Sequence, residues 1–378
     1  MTFPLSDDER AVIDQIERFA REVLAPASAR IDEDSRFAGE HLPAMADLGL
    51  LGMNLPEEDG GLGLSGPALY RAVEMIAGAC GSTASMLTAH FLATDSLHLG
   101  ADADVRARFL PAAAAGKTLG AFALTEPGAG SNPAEMRTTA TREGAGYRLR
   151  GAKCFISNAG AADFIVVYAK TDPQAGAKGI SAFVIEPKAA EGVVIGLAER
   201  TMGLRGGHVF AVTLDTWVPE ANRVGPEGTG FRTAMKVLDN GRVEVAAQAT
   251  GIAEAALNAA VAYAKERRVG GHPIADFQGL QWMLADMATD LAAARALALQ
   301  AAVKRGTGAR FSSESAFAKL FASEAAWRIA DKALQIHGGY GYTRDFPLER
   351  YLRDLRIFRI YEGSSEIQRT IIARGLLA

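Results

Sequence analysis

Cysteine is nearly absent. Among 378 residues only Cys80 and Cys154 occur, and neither lies in a CxxC pair. That argues against a disulfide framework and against a zinc or iron–sulfur site built on thiolates, and it suits a reducing compartment. The six histidines show no metal-ligand spacing. No run of 18 apolar residues exists, so no membrane-spanning helix is expected. The opening MTFPLSDDER has no basic segment followed by an apolar one, so a secretory signal is not expected and a cytoplasmic setting is. Proline and glycine, 14 and 40 residues, are too few for a disordered or collagen-like chain. Neither sign of charge dominates: 40 basic against 44 acidic residues give −4, not the footprint of a polyanion binder. The balance is uneven, with 14 Lys/Arg and 8 Asp/Glu from Arg295 onward, which solvated helix faces explain as readily as phosphate contacts. A phosphate-binding GxxxxGKS or GxxxxGKT, an HExxH and a GxSxG elbow are all missing.

What is present is a 49% apolar, 22% charged chain, at a length that predicts roughly two to three domains. Residues 1–120 read as helical, with Ile13, Ile16, Phe19 and Ala20, and then Leu69, Val73, Ile76 and Ala77, at helical spacing. Ser6 and Glu9 form a capping box, and Asp7 and Asp8 suit the positive end of the first helix. Pro26, LPEEDGGLG and Pro111 are expected to punctuate this region. Between 121 and 228 the period changes: KCFIS, DFIVVYAK, GISAFVIE and VFAVTLDTWVP are β-branched or aromatic runs between turn residues. No helices alternate with them, which predicts a mostly antiparallel β-domain rather than a doubly wound sheet. From 229 to 378 helices return, with Val245, Ile252, Ala256, Ala259 and Tyr263 on one face. The fold class is thus α+β: a helical N-terminal domain, a central antiparallel β-domain and a C-terminal four-helix bundle. Gly61, Gly63 and Gly66 satisfy GxGxxG, but MNLPEED before them has no strand character, so they read as an interhelical loop.

Four segments carry a stronger signal: ALTEPGAGSN (123–132), LRGAKCFISNAG (149–160), GFRTAMKVLDNGRVEVAAQATGIA (230–253) and LQIHGGYGY (334–342), the last leading to RIYEGSSEIQRTIIAR. In this order and at this spacing the chain resembles the acyl-CoA dehydrogenase family over nearly its whole length. The helical–β–helical pattern agrees independently. The resemblance implies FAD, an acyl-CoA substrate, an electron-transferring flavoprotein as partner, and a homodimer or homotetramer, with no nucleic acid and no membrane.

Residue by residue, the resemblance implies that Phe122, Leu124, Thr125, Gly130 and Ser131 hold the flavin. Thr125 would meet its pyrimidine edge, and Ser131 would lie close to flavin and substrate. Small residues around Gly128 and Gly130 let backbone N–H groups approach. Phe155, Ile156 and Ser157 would flank the ring, with an aromatic beside it and a hydroxyl near N5. Arg267 would meet the pyrophosphate with Gln278 nearby, while Gln335, Gly338 and Gly339 would come from a neighbouring subunit. Ser364 and Glu366 complete the cofactor set. Glu362 matches the catalytic base, and burial would raise its pKa to roughly 6 to 7. Its backbone N–H and an FAD hydroxyl would polarise the thioester carbonyl. Asp239 and Arg242 would contact the pantetheine, a helix-surface ion pair being the rival. Tyr361 and Gly363 would touch substrate. Some branches carry the base on the helix holding LDxxR; here that position is Gly241, which cannot serve.

Three departures stand out. Asn132 replaces the usual Asp, Gly207 replaces the Ser of RGS, and Gly270 replaces an aromatic in Arg267–Pro273. The reading is dehydrogenation of a short or branched acyl-CoA. The rivals are an acyl-CoA oxidase, a same-fold flavin monooxygenase or desulfinase, against which Glu362 counts, and a flavin-stabilised nucleic-acid-binding relative.

Overall fold

The computed structural model describes residues 5–305 and 307–377. Helix α1 (Asp7–Phe19) begins at Ser6, whose hydroxyl accepts from the Glu9 N–H while the Glu9 carboxylate accepts from the Ser6 N–H. It buries Ile13, Ile16 and Phe19 and continues through a wider turn, Ala20–Leu24, into α2 (Ala25–Glu33). Then come α3 (Leu42–Asp47), α4 (Gly66–Ala79), α5 (Gly81–Gly100) and α6 (Ala103–Ala114). Neither expected proline break occurs. Pro26 sits in the first turn of α2, where its missing N–H is of least consequence, and Pro111 lies in the last turn of α6. Gly61 and Gly63 lie in a loop after the turn Glu57–Asp59 that leads into the Ser65 cap, and Gly66 is the first residue of α4.

Eight strands form one sheet: β1 (Gly120–Ala123), β2 (Thr139–Glu143), β3 (Gly146–Ser157), β4 (Phe164–Lys170), β5 (Ile180–Ile185), β6 (Val193–Ile195), β7 (Val209–Pro219) and β8 (Arg223–Val224). The order is β6-β7-β3-β2-β4-β5-β8, with β1 on β4. Pairing is antiparallel except where β1 and β2 meet β4. β4 and β5 have nearly every residue buried, because sheet partners and α5 cover them. The apolar runs of the sequence recover β4, β5, β7 and the end of β3. They miss β1 and β2, whose short or charged tracts are strands only because neighbours pair with them.

Helix α7 (Gly230–Glu266) spans 37 residues, about 55 Å at 1.5 Å per residue. A hairpin follows, β9 (Arg268–Val269) with β10 (His272–Pro273), then α8 (Gln278–Lys304), α9 (Ser312–His337), α10 (Gly339–Tyr342), α11 (Leu348–Leu355) and α12 (Ser365–Leu377). Helices α7, α8 and α9 pack mutually, and α12 closes on α9. The alanines that dominate their seams let the axes approach closely. Helix α4 lies against α7 and α8, so the first and last helical regions share one hydrophobic core running from Ile13 to Phe358. Among the described residues no helix is long and apolar enough to cross a membrane.

Candidate active site

The TEPGAGS loop follows β1 and is fastened to β3 by a buried ion pair. Lys153 donates to the Leu124 carbonyl at 3.0 Å and to Glu126 Oε1 at 2.8 Å. Glu126 also accepts from the Arg137 and Thr138 N–H groups. Burial alone would raise the Glu126 pKa, but the ammonium and these donors outweigh it and hold the carboxyl below its usual range. Burial depresses Lys153 to about 8. The Cys154 N–H donates to the Thr125 carbonyl at 3.0 Å, so loop and strand move as one unit.

One residue further on, β3 bulges. Its register with β7 shifts between Lys153 and Ile156, and Phe155 takes φ +57°. The bulge turns the Phe155 ring outward, 67% exposed, beside half-buried Thr125 and Ser157. Ile156 and Leu124 are buried in the cores on either side of the sheet, so only their backbone could face a ligand. Half-buried Phe122 packs on Tyr168, with ring centroids 5.2 Å apart. Gly130 and Ser131 are exposed, and nothing lies within 4 Å of where a Gly128 or Gly130 Cβ would stand. Asn132 donates to Glu135 at 2.8 Å, closing the loop locally.

A separate cleft of about 610 Å³ opens on the C-terminal helices, lined by Tyr263, Arg267, Phe277, Gly338, Gly339 and Tyr340, among others. The Arg267 guanidinium lies 5.9 Å from the Tyr340 ring centre, and Tyr263 stacks on His337 at 4.3 Å. A cation among aromatic faces, beside glycines with open space in front, suits a pyrophosphate and a purine. Arg267 and Gly338–Gly339 thus line one cleft of one chain. The residues expected from different subunits lie together within one chain, because the β9–β10 hairpin folds back beside the C-terminal end of α9. Gln278 and Gln335 are exposed at the two helix ends nearby and do not line the cleft.

The hairpin also explains Gly270. Gly270 and Gly271 have φ +60° and +88°, with Val269 paired to His272. Two successive positive φ values are what a two-residue hairpin turn of the tightest type demands, and an aromatic there would be strained. Gly207 lies in a crowded spot, where a Cβ would come within 3.2 Å of Ser85 Oγ and 3.3 Å of the Leu204 carbonyl.

Glu362 lies between the 3-10 turn Ile357–Arg359 and α12, at φ +52°, followed by Gly363 at +91°. Such a backbone costs about 1–3 kcal/mol unless its surroundings over-determine it. Here they do. Gln368 donates to the Glu362 and Gly363 carbonyls at 3.2 and 2.8 Å, Lys319 donates to Gly363 at 2.7 Å, and Arg242 donates to Glu362 at 3.4 Å. Carboxylate oxygen Oε2 is buried with no hydrogen-bond partner. It rests against Gly241, where any Cβ would collide with it, and Leu92 of α5 crowds the same space. Glycine at 241 therefore does more than fail to supply a base, since it makes room for this one. Burial pushes the Glu362 pKa up to about 8, the nearby Glu244 charge adds to this, and Lys319 and Arg242 act against it. That is somewhat above the expected range.

Arg242 donates to Asp239 at 2.6 Å, and Ser312 and Ser315 also donate to that carboxylate. The pair is buried rather than a helix-surface ion pair. Tyr361 and Ser364 are half-buried beside the base, and exposed Glu366 accepts from the Ser364 hydroxyl, which holds its carboxyl low. The sequence reading missed Lys153, Glu126, Lys319, Glu244 and Arg305. Lys319 and Glu244 were detectable as single charges within apolar helical runs, and Glu244 stands three residues past Gly241.

Three family profiles cover the chain: "Acyl-CoA dehydrogenase, N-terminal domain" over residues 6–117, "middle domain" over 121–216 and "C-terminal domain" over 228–377. An acryloyl-CoA reductase (NADH) of Anaerotignum propionicum is 43% identical, covering 100% of this chain and 96% of its own. The solved butyryl-CoA dehydrogenase of Megasphaera elsdenii is 38% identical with TM-score 0.97, covering both chains completely. A structure titled for the electron transferring flavoprotein of Acidaminococcus fermentans, with flavin-based electron bifurcation, includes a chain 41% identical at TM-score 0.97, again with full coverage of both.

Proposed function

Because the chain belongs to the acyl-CoA dehydrogenase family of FAD-dependent oxidoreductases, we propose that it dehydrogenates a short acyl-CoA to the 2-enoyl-CoA, with Glu362 as the base. The observation that carries this is the half-buried Glu362: its carboxylate oxygen Oε2 is buried and unpartnered, its pKa is raised to about 8, and it is seated in the space Gly241 leaves. Such a group is poised to take a proton from carbon α to a thioester carbonyl.

The residues divide the work. Arg242, Gln368 and Lys319 hold the backbone of Glu362–Gly363 in its strained shape, which fixes the carboxylate and leaves the Glu362 N–H for the thioester carbonyl. Thr125, Phe155 and Ser157, stiffened through Lys153, form the wall that would hold the flavin; Arg267 and Gly338–Gly339 would hold the pyrophosphate and adenine. FAD bound there would supply the acceptor for the β-hydride, and an electron-transferring flavoprotein, the partner that the A. fermentans relative suggests, would take the electrons on. A short acyl group is supported by Gln248, buried on the same face of α7 as Gly241 and tied to Thr88 at 3.1 Å, because a long alkyl chain running along that face would meet polar groups.

Glu362→Gln keeps shape and removes basicity. We expect loss of roughly 10²- to 10⁴-fold in butyryl-CoA-dependent dye reduction, with flavin content unchanged. Near-normal turnover would refute the assignment. A second reading, reduction of an enoyl thioester, draws on the acryloyl-CoA reductase relative. The same carboxyl would then return the proton, and assays in both directions decide between them.

A further inference from the structure

Beside the base lies a charged cluster that the reaction as described does not use. Asp95 of α5 accepts from Asn54 at 2.7 Å, from Asn240 at 2.7 Å and from Arg305 at 3.2 Å. Arg305, just past α8, donates its other nitrogen to Glu244 Oε1 of α7 at 2.6 Å. Glu244 is 3% exposed, and its second oxygen, Oε2, has no partner. Asp95 and Arg305 are both served; the vacancies are Asn54 Oδ1 and Glu244 Oε2, and Glu244 is the one on α7.

Its position gives the vacancy meaning. Gly241, Glu244 and Gln248 follow one another at helical spacing on one face of α7, and the face begins where the Glu362 carboxylate rests. From Gly241 to Glu244 the rise is about 4.5 Å. Leu92 and Thr88 of α5 stand opposite, Leu92 beside Gly241 and Thr88 on Gln248. The Tyr361 hydroxyl faces the Gln248 amide without hydrogen-bond geometry. The Glu244 charge adds to the upward shift at Glu362, whose carboxylate rests against Gly241, less than one turn away on the same face of α7. Burial raises Glu244 to about 7, against the pull of Arg305. A buried carboxylate with an idle oxygen costs stability unless something meets it.

We propose that Glu244 is a specificity-determining residue whose free carboxylate oxygen accepts a hydrogen bond from a hydroxyl carried on the acyl chain beyond the reacting carbons. This rests on the acyl-CoA reading and narrows it to short hydroxyacyl thioesters. The vacancy is an acceptor, so the ligand group is a donor. An acyl chain ending in a carboxylate is excluded, because it would face Glu244, Asp95 and Glu362 with Arg305 already paired.

The test compares butyryl-CoA, 4-hydroxybutyryl-CoA, 5-hydroxyvaleryl-CoA and glutaryl-CoA on the FAD-loaded protein at pH 8. One of the hydroxyacyl thioesters is expected to exceed butyryl-CoA in kcat/KM by about tenfold or more, with glutaryl-CoA the poorest. Glu244→Gln, isosteric and still able to accept from Arg305, is expected to reduce that preference to within about threefold while butyryl-CoA turnover persists. Tenfold corresponds to about 1.4 kcal/mol. Equal or lower rates with both hydroxyacyl thioesters in the native chain overturn the inference, whether or not the variant folds. So does a preference that survives Glu244→Gln. If no acyl thioester reduces the flavin, the acyl-CoA reading itself fails; turnover without preference removes only the role of Glu244.

Discussion

Glu362 gives its own pH signature. Because its pKa is raised to about 8, the free enzyme is mostly protonated at pH 7. The kcat/KM for butyryl-CoA should rise with pH and level off above about 8. A profile already flat from pH 6 would show that the base titrates elsewhere. The same shift affects stability. An ordinary glutamate in the unfolded chain titrates near 4.3, so between that value and about 8 the native protein binds more protons, and stability falls as pH rises. Glu362→Gln removes this term. The variant should match the parent near pH 4 and unfold at higher temperature than it at pH 8.5, the gap opening as pH rises from about 4.3 towards about 8. Calorimetry at the two pH values reads the difference directly. Gly241→Ala tests the other side of the same contact: with its Cβ against the carboxylate, turnover should drop at least about tenfold while the long helix α7 is undisturbed.

Two short elements carry the proposed cofactor site, and each rests on a local constraint. The bulge in β3 aims Phe155 outward and depends on Lys153, which ties it to the Thr125 loop. Lys153→Met leaves Glu126 buried without its cation, a loss on the order of 3–5 kcal/mol. We expect protein of lower melting temperature that purifies with little flavin. Full flavin content in a folded Lys153→Met protein would separate the ion pair from the site. The β9–β10 hairpin depends on Gly270 and Gly271 at positive φ. Filling the place of the missing aromatic with Gly270→Phe therefore strains the turn and should weaken flavin retention. Gly270→Asn, which tolerates this backbone, should leave it near the parent value. Flavin fluorescence during dilution measures both.

At the level of the whole molecule, the two halves of the proposed cofactor site lie on different elements of one chain. Thr125, Phe155 and Ser157 flank the sheet, whereas Arg267 and Gly338–Gly339 line a cleft on the C-terminal helices, and the two sets share no lining residue. One cofactor served by both sets would bridge two chains, its flavin on one protomer and its pyrophosphate on another. Arg267→Gln should then lower flavin content, as should Lys153→Met. Co-expression of the two variants should restore flavin to a fraction of the mixed oligomers, because one site per pair would be intact. A monomer that carries full FAD would dispose of the bridge.

Local pattern determined much of this protein. The order helices, sheet, helices was legible because each element must hide an apolar face, and the face repeats every 3.6 or 2 residues. The capping box at Ser6 and Glu9 formed as read, since its partners are three residues apart. Glu362 and the TEPGAGS loop were visible as compact motifs. Tertiary structure alone decided which residues meet. The Asp95–Arg305–Glu244 chain joins positions up to 210 residues apart, and no spacing announces it. That Arg267 and Gly338 share a cleft followed from how a hairpin folds beside α9. The outward turn of Phe155 followed from a register shift against β7, and Gly241 acquired its purpose only when a carboxylate from 121 positions downstream settled onto it. Periodicity records how a segment faces its core; it carries no record of which distant segment lies on the other side.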